Sequence, residues 1–114
     1  DTLGHQAGDE ALQRFSSILA SALRAGDVLA RWGGEEFILL LPATPLDEAA
    51  SVIERLRARC ADPASWVERP ELQVTFSAGL SAHTDGESMQ QVIARADAAL
   101  YRAKSEGRNR LVIG

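Results

Sequence analysis

The chain has 114 residues, 46% of them apolar, and carries a net charge of −4. That length supports one domain with its own core and no need of disulfide or zinc staples, and the apolar fraction excludes a disordered chain. The negative balance excludes a general nucleic-acid surface, which needs clustered positive charge, but leaves room for a small anion bound locally.

Cys60 is the only cysteine, so there is neither an intramolecular disulfide nor a pair of thiols for zinc. The longest apolar stretch, Phe37 to Leu41, is far short of the roughly 20 residues a membrane helix requires. With no signal-peptide pattern at its start, the segment is expected to be cytoplasmic and to make no membrane contact.

In chain order, Leu12, Phe15, Ile18, Leu19, Ala22 and Leu23 recur at helical spacing and predict a helix over 9–23, with Asp9 as its cap. Val28 to Trp32 and Phe37 to Leu41 flank Gly33-Gly34 and predict a tight β-hairpin. Thr44, Pro45 and Asp47 supply an N-cap, a first helical residue and a capping-box acid for a second helix, running to about Cys60. Its apolar face is Ala49, Val52, Ile53 and Leu56, which leaves Arg55, Arg57 and Arg59 exposed.

From Asp62 to Pro70 the chain reads as a loop anchored by Trp66. Leu72 to Leu80 then alternates apolar and polar residues, the period of a half-buried strand with Ser77 and Gly79 turned away from the apolar set. Met89, Val92, Ile93, Ala96, Leu100 and Ala103 mark a third helix stopped near Gly107, followed by a short strand from Leu111 to Ile113. The predicted order is α-β-β-α-β-α-β, with no repeat or linker, so residues 1–114 form a single mixed unit.

Four stretches occur in register: Gly4-His5-Gln6-Ala7-Gly8-Asp9, Arg31-Trp32-Gly33-Gly34-Glu35-Glu36-Phe37, Phe76-Ser77-Ala78-Gly79, and Ala96-Asp97-Ala98-Ala99-Leu100-Tyr101-Arg102-Ala103-Lys104. Together they resemble the GGDEF family of diguanylate cyclases, in the Gly-Gly-Glu-Glu-Phe form that the family accepts as an active variant. The resemblance covers essentially the whole chain. It implies an α+β fold with a ferredoxin-like palm core, as in nucleotidyl cyclases, in which helices pack around an antiparallel or mixed central sheet.

The implied activity is condensation of two GTP into cyclic di-GMP and two pyrophosphates, by a homodimer with two Mg²⁺ or Mn²⁺ per GTP. Gly33 and Gly34 would admit the triphosphate where any Cβ would hold it away, and Glu35, with Glu36, would bind the metal through hard carboxylate oxygens. Asp9 matches the acid that accepts hydrogen bonds from guanine, and Lys104 and Arg108 match cations at the phosphates.

Plain structural readings stand beside these. A Gly-Gly pair also makes ordinary turns, exposed glutamates are usually only solvated, Asp9 serves equally as a helix cap, and Lys104 and Arg108 suit a helix C-terminus. His5 reads as a family landmark rather than a base.

Arg24-Ala25-Gly26-Asp27 has the RxxD form and lies just ahead of the signature, where many family members carry a product-inhibition site. The resemblance implies that Arg24 and Asp27, with Arg55 as a secondary contact, bind cyclic di-GMP as inhibitor.

A complete family domain opens with a central strand bearing a metal-binding aspartate, and then an asparagine that helps to hold guanine. These precede the residues matched here, so the expectation is a domain lacking its first strand, inactive without N-terminal residues, with a sensor domain upstream. The alternative is a non-catalytic module that senses cyclic di-GMP; a scaffold with neither property is a third reading.

Overall fold

The computed structural model describes the backbone of residues 2–114 and the side chains from Gln6 onward. The elements are α1 (Thr2–Ser21), β1 (Val28–Gly33), β2 (Glu36–Leu40), α2 (Leu46–Ala61), β3 (Ala78–Leu80), α3 (Met89–Ser105) and β4 (Leu111–Ile113), in the order the sequence predicts. They fall into two compact units, one holding the residues up to Thr44 with Ala58–Val74, the other Pro45–Arg57 with Thr75–Gly114.

In the first unit α1 begins at Thr2, well before the predicted start. The sequence ahead of Asp9 holds no proline, and glycines weaken a helix without breaking it. Asp9 therefore lies inside the helix, and its reading as the cap is corrected. Phe15 and Leu19 are buried, and the Phe15 ring meets Phe37 edge-on at 5.3 Å, which ties α1 to the hairpin.

β1 and β2 pair antiparallel, with Arg31 opposite Phe37 and Gly33 opposite Glu36. Two residues of β1 are thus spanned by one step of β2, and Trp32 is the extra residue of a bulge. The two-residue turn is Gly34-Glu35, one position later than the predicted Gly33-Gly34. Gly34 has φ +52, the positive value that a glycine at the first turn position supplies most cheaply.

Beyond α2, the predicted loop is built from 3-10 turns at Pro63–Trp66 and Pro70–Leu72. Trp66 is fully buried and its Nε1 donates to the Cys60 carbonyl at 2.8 Å, so it anchors this segment as expected.

In the second unit the Pro45 carbonyl accepts the Ala49 N–H, so Pro45 rather than Thr44 stands at the start of α2. The Thr44 hydroxyl donates to the Pro42 carbonyl instead, and Asp47 accepts from the Glu48 N–H rather than reaching back as a capping box. Ala49, Ile53 and Leu56 are buried as the periodicity predicts. Arg57 departs from the expected exposure: its side chain is 20% exposed, and its NH1 donates to the carbonyl and Oδ1 of Asn109.

β3 and β4 pair in parallel from Ala78 opposite Leu111 to Leu80 opposite Ile113, joined by α3 as a parallel pair requires. The strand predicted over 72–80 is shortened to Ala78–Leu80, because only those residues have a partner in β4. Gly79 lies directly against α3, where an added Cβ would stand 2.1 Å from the Ala96 carbonyl oxygen. Ala99 and Ala103 are fully buried, and such small side chains let a helix backbone approach a strand closely. Ser88 caps α3 in a reciprocal pair with Gln91.

Among the described residues, no helix is long and apolar enough to cross a membrane.

Candidate active site

The signature turn is held from within the hairpin. The bulge at Trp32 leaves Arg31 three positions short of Gly34, and the Arg31 guanidinium closes that distance, Nε and NH2 donating to the Gly34 carbonyl at 2.9 and 2.7 Å. Glu35 and Glu36 are exposed at the tip, and among the described residues neither carboxylate has a hydrogen-bond or ion-pair partner. The tip therefore presents hard oxygen donors beside a backbone free of Cβ at Gly33 and Gly34.

These donors fit a divalent cation only in part. Among the described residues no group of at least three histidines, cysteines or carboxylates converges to hold a metal, so Glu35 and Glu36 would share the ion with phosphate oxygens and water, as Mg²⁺ usually requires.

Asp9 is exposed on α1 and lines an open groove of about 830 Å³ with Gln6, Gln13, Arg14, Arg59 and Ser65. Freed from capping, its carboxylate is available to accept hydrogen bonds from a ligand. The side chain of His5, the other notable residue of this stretch, lies outside those described.

Arg24 to Asp27 form a closed turn. The Asp27 N–H donates to the Arg24 carbonyl at 3.0 Å, and the Asp27 carboxylate accepts the Arg24 N–H at 2.8 Å. Gly26 sits at φ +94, a value the turn needs and a side chain resists. The Arg24 guanidinium donates from NH2 to the Thr44 hydroxyl at 2.8 Å, and the turn with Pro42 and Ala43 borders a small open cavity. Asp27 thus orders the backbone under Arg24, while Thr44 steers its side chain.

The second unit carries the remaining candidates. Arg55 is exposed on α2, and Lys104 is exposed in the last turn of α3. Arg108 lies just past that helix, which stops ahead of Gly107 as the sequence predicts: after Gly107 at φ +125 it takes φ +63, and its N–H donates to the Ala103 carbonyl at 2.9 Å. The reversal follows from a glycine that ends the helix in the left-handed region.

Three contributors were not singled out by function in the sequence: Arg31 as the brace of the turn, Trp32 as the bulge residue, and Thr44 as the partner of Arg24. Each depends on strand register or on a contact across 20 residues, which no local pattern reports.

The chain matches the family model described as diguanylate cyclase, GGDEF domain, over residues 1–110. It is 46% identical over 113 residues to diguanylate cyclase DgcM of Escherichia coli K12, covering 98% of this chain and 27% of that protein. The fold is similar to diguanylate cyclase SiaD of Pseudomonas aeruginosa, solved in complex with its activator SiaC, at 45% identity and TM-score 0.88 over 100% of this chain and 44% of that one. It is also similar to the GGDEF domain of DgcB from Caulobacter crescentus, solved in complex with c-di-GMP, at 33% identity and TM-score 0.86 over 99% of this chain and 68% of that one. The α+β architecture is accordingly of the palm type seen in those domains.

Proposed function

Because the chain belongs to the GGDEF family of diguanylate cyclases, we propose that it forms the major C-terminal part of one domain that condenses two GTP into cyclic di-GMP. It spans about a quarter of the length of DgcM, at 27%, so the activity is proposed for the full-length protein. The single observation that carries the reading is the turn at Gly34, φ +52, with Glu35 exposed beside it in a chain matched by the family over almost its whole length.

In the proposed reaction the 3′-hydroxyl of each GTP attacks the α-phosphate of the other. Two phosphodiester bonds form, two α–β phosphoanhydride bonds and two hydroxyl O–H bonds break, two pyrophosphates leave with the charge of the displaced oxygens, and the two hydroxyl protons pass to solvent. Glu35 and Glu36 would hold Mg²⁺ or Mn²⁺, two ions per GTP, and when bound such ions supply Lewis-acid stabilisation of phosphate charge. Gly33 and Gly34 let the backbone approach the triphosphate. Asp9 orients guanine by accepting from its N1–H and N2–H groups, and Lys104 and Arg108 bring positive charge to the phosphates.

The protein's main contribution is alignment, because each domain holds one nucleotide and only a facing pair is productive. A homodimer is therefore part of the proposal, and an upstream sensor domain would control its formation. That catalysis also draws on residues N-terminal to this chain is part of the proposal, as the resemblance to the family implies. Feedback by cyclic di-GMP at Arg24 and Asp27, with Arg55 as a secondary contact, is supported by the ordered turn and by the Arg24–Thr44 hydrogen bond. A cytoplasmic location of the domain, where GTP is at hand, is part of the proposal.

The test is pyrophosphate release by the full-length protein supplied with GTP and Mg²⁺. Turnover that falls at least about 100-fold in Glu35→Gln, which keeps size and removes charge, is the expected result. An active protein whose Glu35→Gln variant keeps full turnover would overturn the assignment of the metal site, and an inactive wild type would overturn the cyclase reading.

A further inference from the structure

The Gly34 carbonyl is the acceptor for both Nε and NH2 of Arg31, at 2.9 and 2.7 Å. A forked contact of this kind fixes an orientation as well as a distance, since two donors of one rigid plane meet a single oxygen. In a trans peptide the carbonyl and the following N–H point in opposite directions, and no cis bond occurs among the described residues. With the Gly34 oxygen turned to Arg31, the N–H of Glu35 must point to the opposite side of that peptide, away from the guanidinium.

The same contact depends on the bulge. Without Trp32 as an extra residue between the Arg31–Phe37 and Gly33–Glu36 pairs, Arg31 would stand one position nearer the turn. Bulges re-aim side chains next to working sites, and here the re-aimed side chain braces the backbone that bears Glu35. Gly34 at φ +52 has no Cβ to restrict its peptide from flipping, so the brace answers a freedom that the glycine creates.

We propose that Arg31 is a positioning residue for the reaction: by clamping the Gly34 carbonyl it holds the Glu35 N–H away from the guanidinium as a donor to a phosphate oxygen of the nucleoside triphosphate and keeps the Glu35 carboxylate in place beside it. The inference rests on the cyclase reading. A preorganised N–H of this kind acts where charge develops on the reacting phosphate, so its loss weighs on turnover more than on ground-state binding. Lysine does not replace arginine here, because a single ammonium lacks the planar fork.

The experiment compares full-length wild type with Arg31→Lys and Arg31→Ala by the GTP dependence of pyrophosphate release, with thermal midpoints recorded in parallel. The expected result is a kcat at least about 10-fold lower in both variants, a KM within about threefold of wild type, and partial recovery of kcat in Arg31→Ala on adding guanidinium ion. A kcat in Arg31→Lys equal to wild type would overturn the inference, as would losses that track a lowered thermal midpoint without recovery by guanidinium. A wild type with no turnover would remove the cyclase reading itself, and this inference with it, whereas an active wild type beside unaffected variants would sink only the role of Arg31.

Discussion

Gly79 and Ala96 stand so close that a methyl group on the glycine would lie 2.1 Å from the alanine's carbonyl oxygen and 2.4 Å from the Leu100 nitrogen. Both obstacles are backbone, which cannot rotate aside. Gly79→Ala is therefore expected to force β3 from α3 and to lower stability by about 1–3 kcal/mol, the usual cost of overpacking. Urea unfolding followed by circular dichroism measures it, and a variant as stable as wild type would show that α3 gives way freely.

Trp66 fills the core of the first unit and donates its indole N–H to the Cys60 carbonyl at 2.8 Å. Replacement by alanine empties that volume and should cost about 3–5 kcal/mol. Replacement by phenylalanine removes the donor and should cost less, about 1–3 kcal/mol, from the smaller ring and from a carbonyl left with only the longer bond from Gln73 Nε2, at 3.5 Å. The order of the two unfolding midpoints checks the assignment.

Burial pushes the Cys60 thiol up from 9.0 to about 11, against a smaller opposing effect of Arg59. In the unfolded chain the thiol ionises near its ordinary value, so between pH 9 and about 11 the unfolded state binds fewer protons than the folded state and stability falls as pH rises. Cys60→Ala should remove that part of the alkaline slope, as read from unfolding midpoints across the range. Below the ordinary thiol range the folded protein should react only slowly with thiol reagents.

Glu87 accepts from Arg95 NH1 and NH2 and from the N–H and hydroxyl of Thr84. These donors, Arg95 first, hold its carboxyl well below the usual carboxylate range. A depressed folded value gives stability that is present above the unfolded carboxylate range and is lost as pH falls towards the folded value. Glu87→Gln should reduce this acid dependence and speed amide exchange at Thr84, measured by hydrogen exchange with mass spectrometry.

The Arg24 guanidinium is steered by the Thr44 hydroxyl at 2.8 Å. Under the proposed feedback reading, Arg24→Ala should abolish cyclic di-GMP binding by this chain in calorimetric titration, while Thr44→Val should weaken it about threefold to tenfold by releasing the side chain. Equal affinity in wild type and Arg24→Ala would place any product binding elsewhere.

Much of the architecture was legible in the sequence because it repeats locally. The apolar periods of Leu12 to Leu23 and Met89 to Ala103 identify helices that bury Phe15, Leu19, Ala99 and Ala103, and the signature identifies a hairpin. The helix start, turn position and strand length were less legible. Asp9 had the chemistry of a cap yet lies within α1, because cap and interior differ by backbone geometry rather than residue type. The turn falls on Gly34-Glu35 because Trp32 is bulged, and a register shift leaves no mark in composition.

The sequence by itself determined the family, the α-β-β-α-β-α-β order and the residue types at the proposed site, since hydrophobic period and motif spacing are properties of neighbours along the chain. Only the tertiary structure decided that Arg31 braces Gly34, that Thr44 turns from capping α2 to steering Arg24, that Arg57 is spent on Asn109, and that Gly79 lies under Ala96. Each of these joins groups whose approach depends on strand register or on the closure of a fold, and such contacts form only where folding has already fixed both partners.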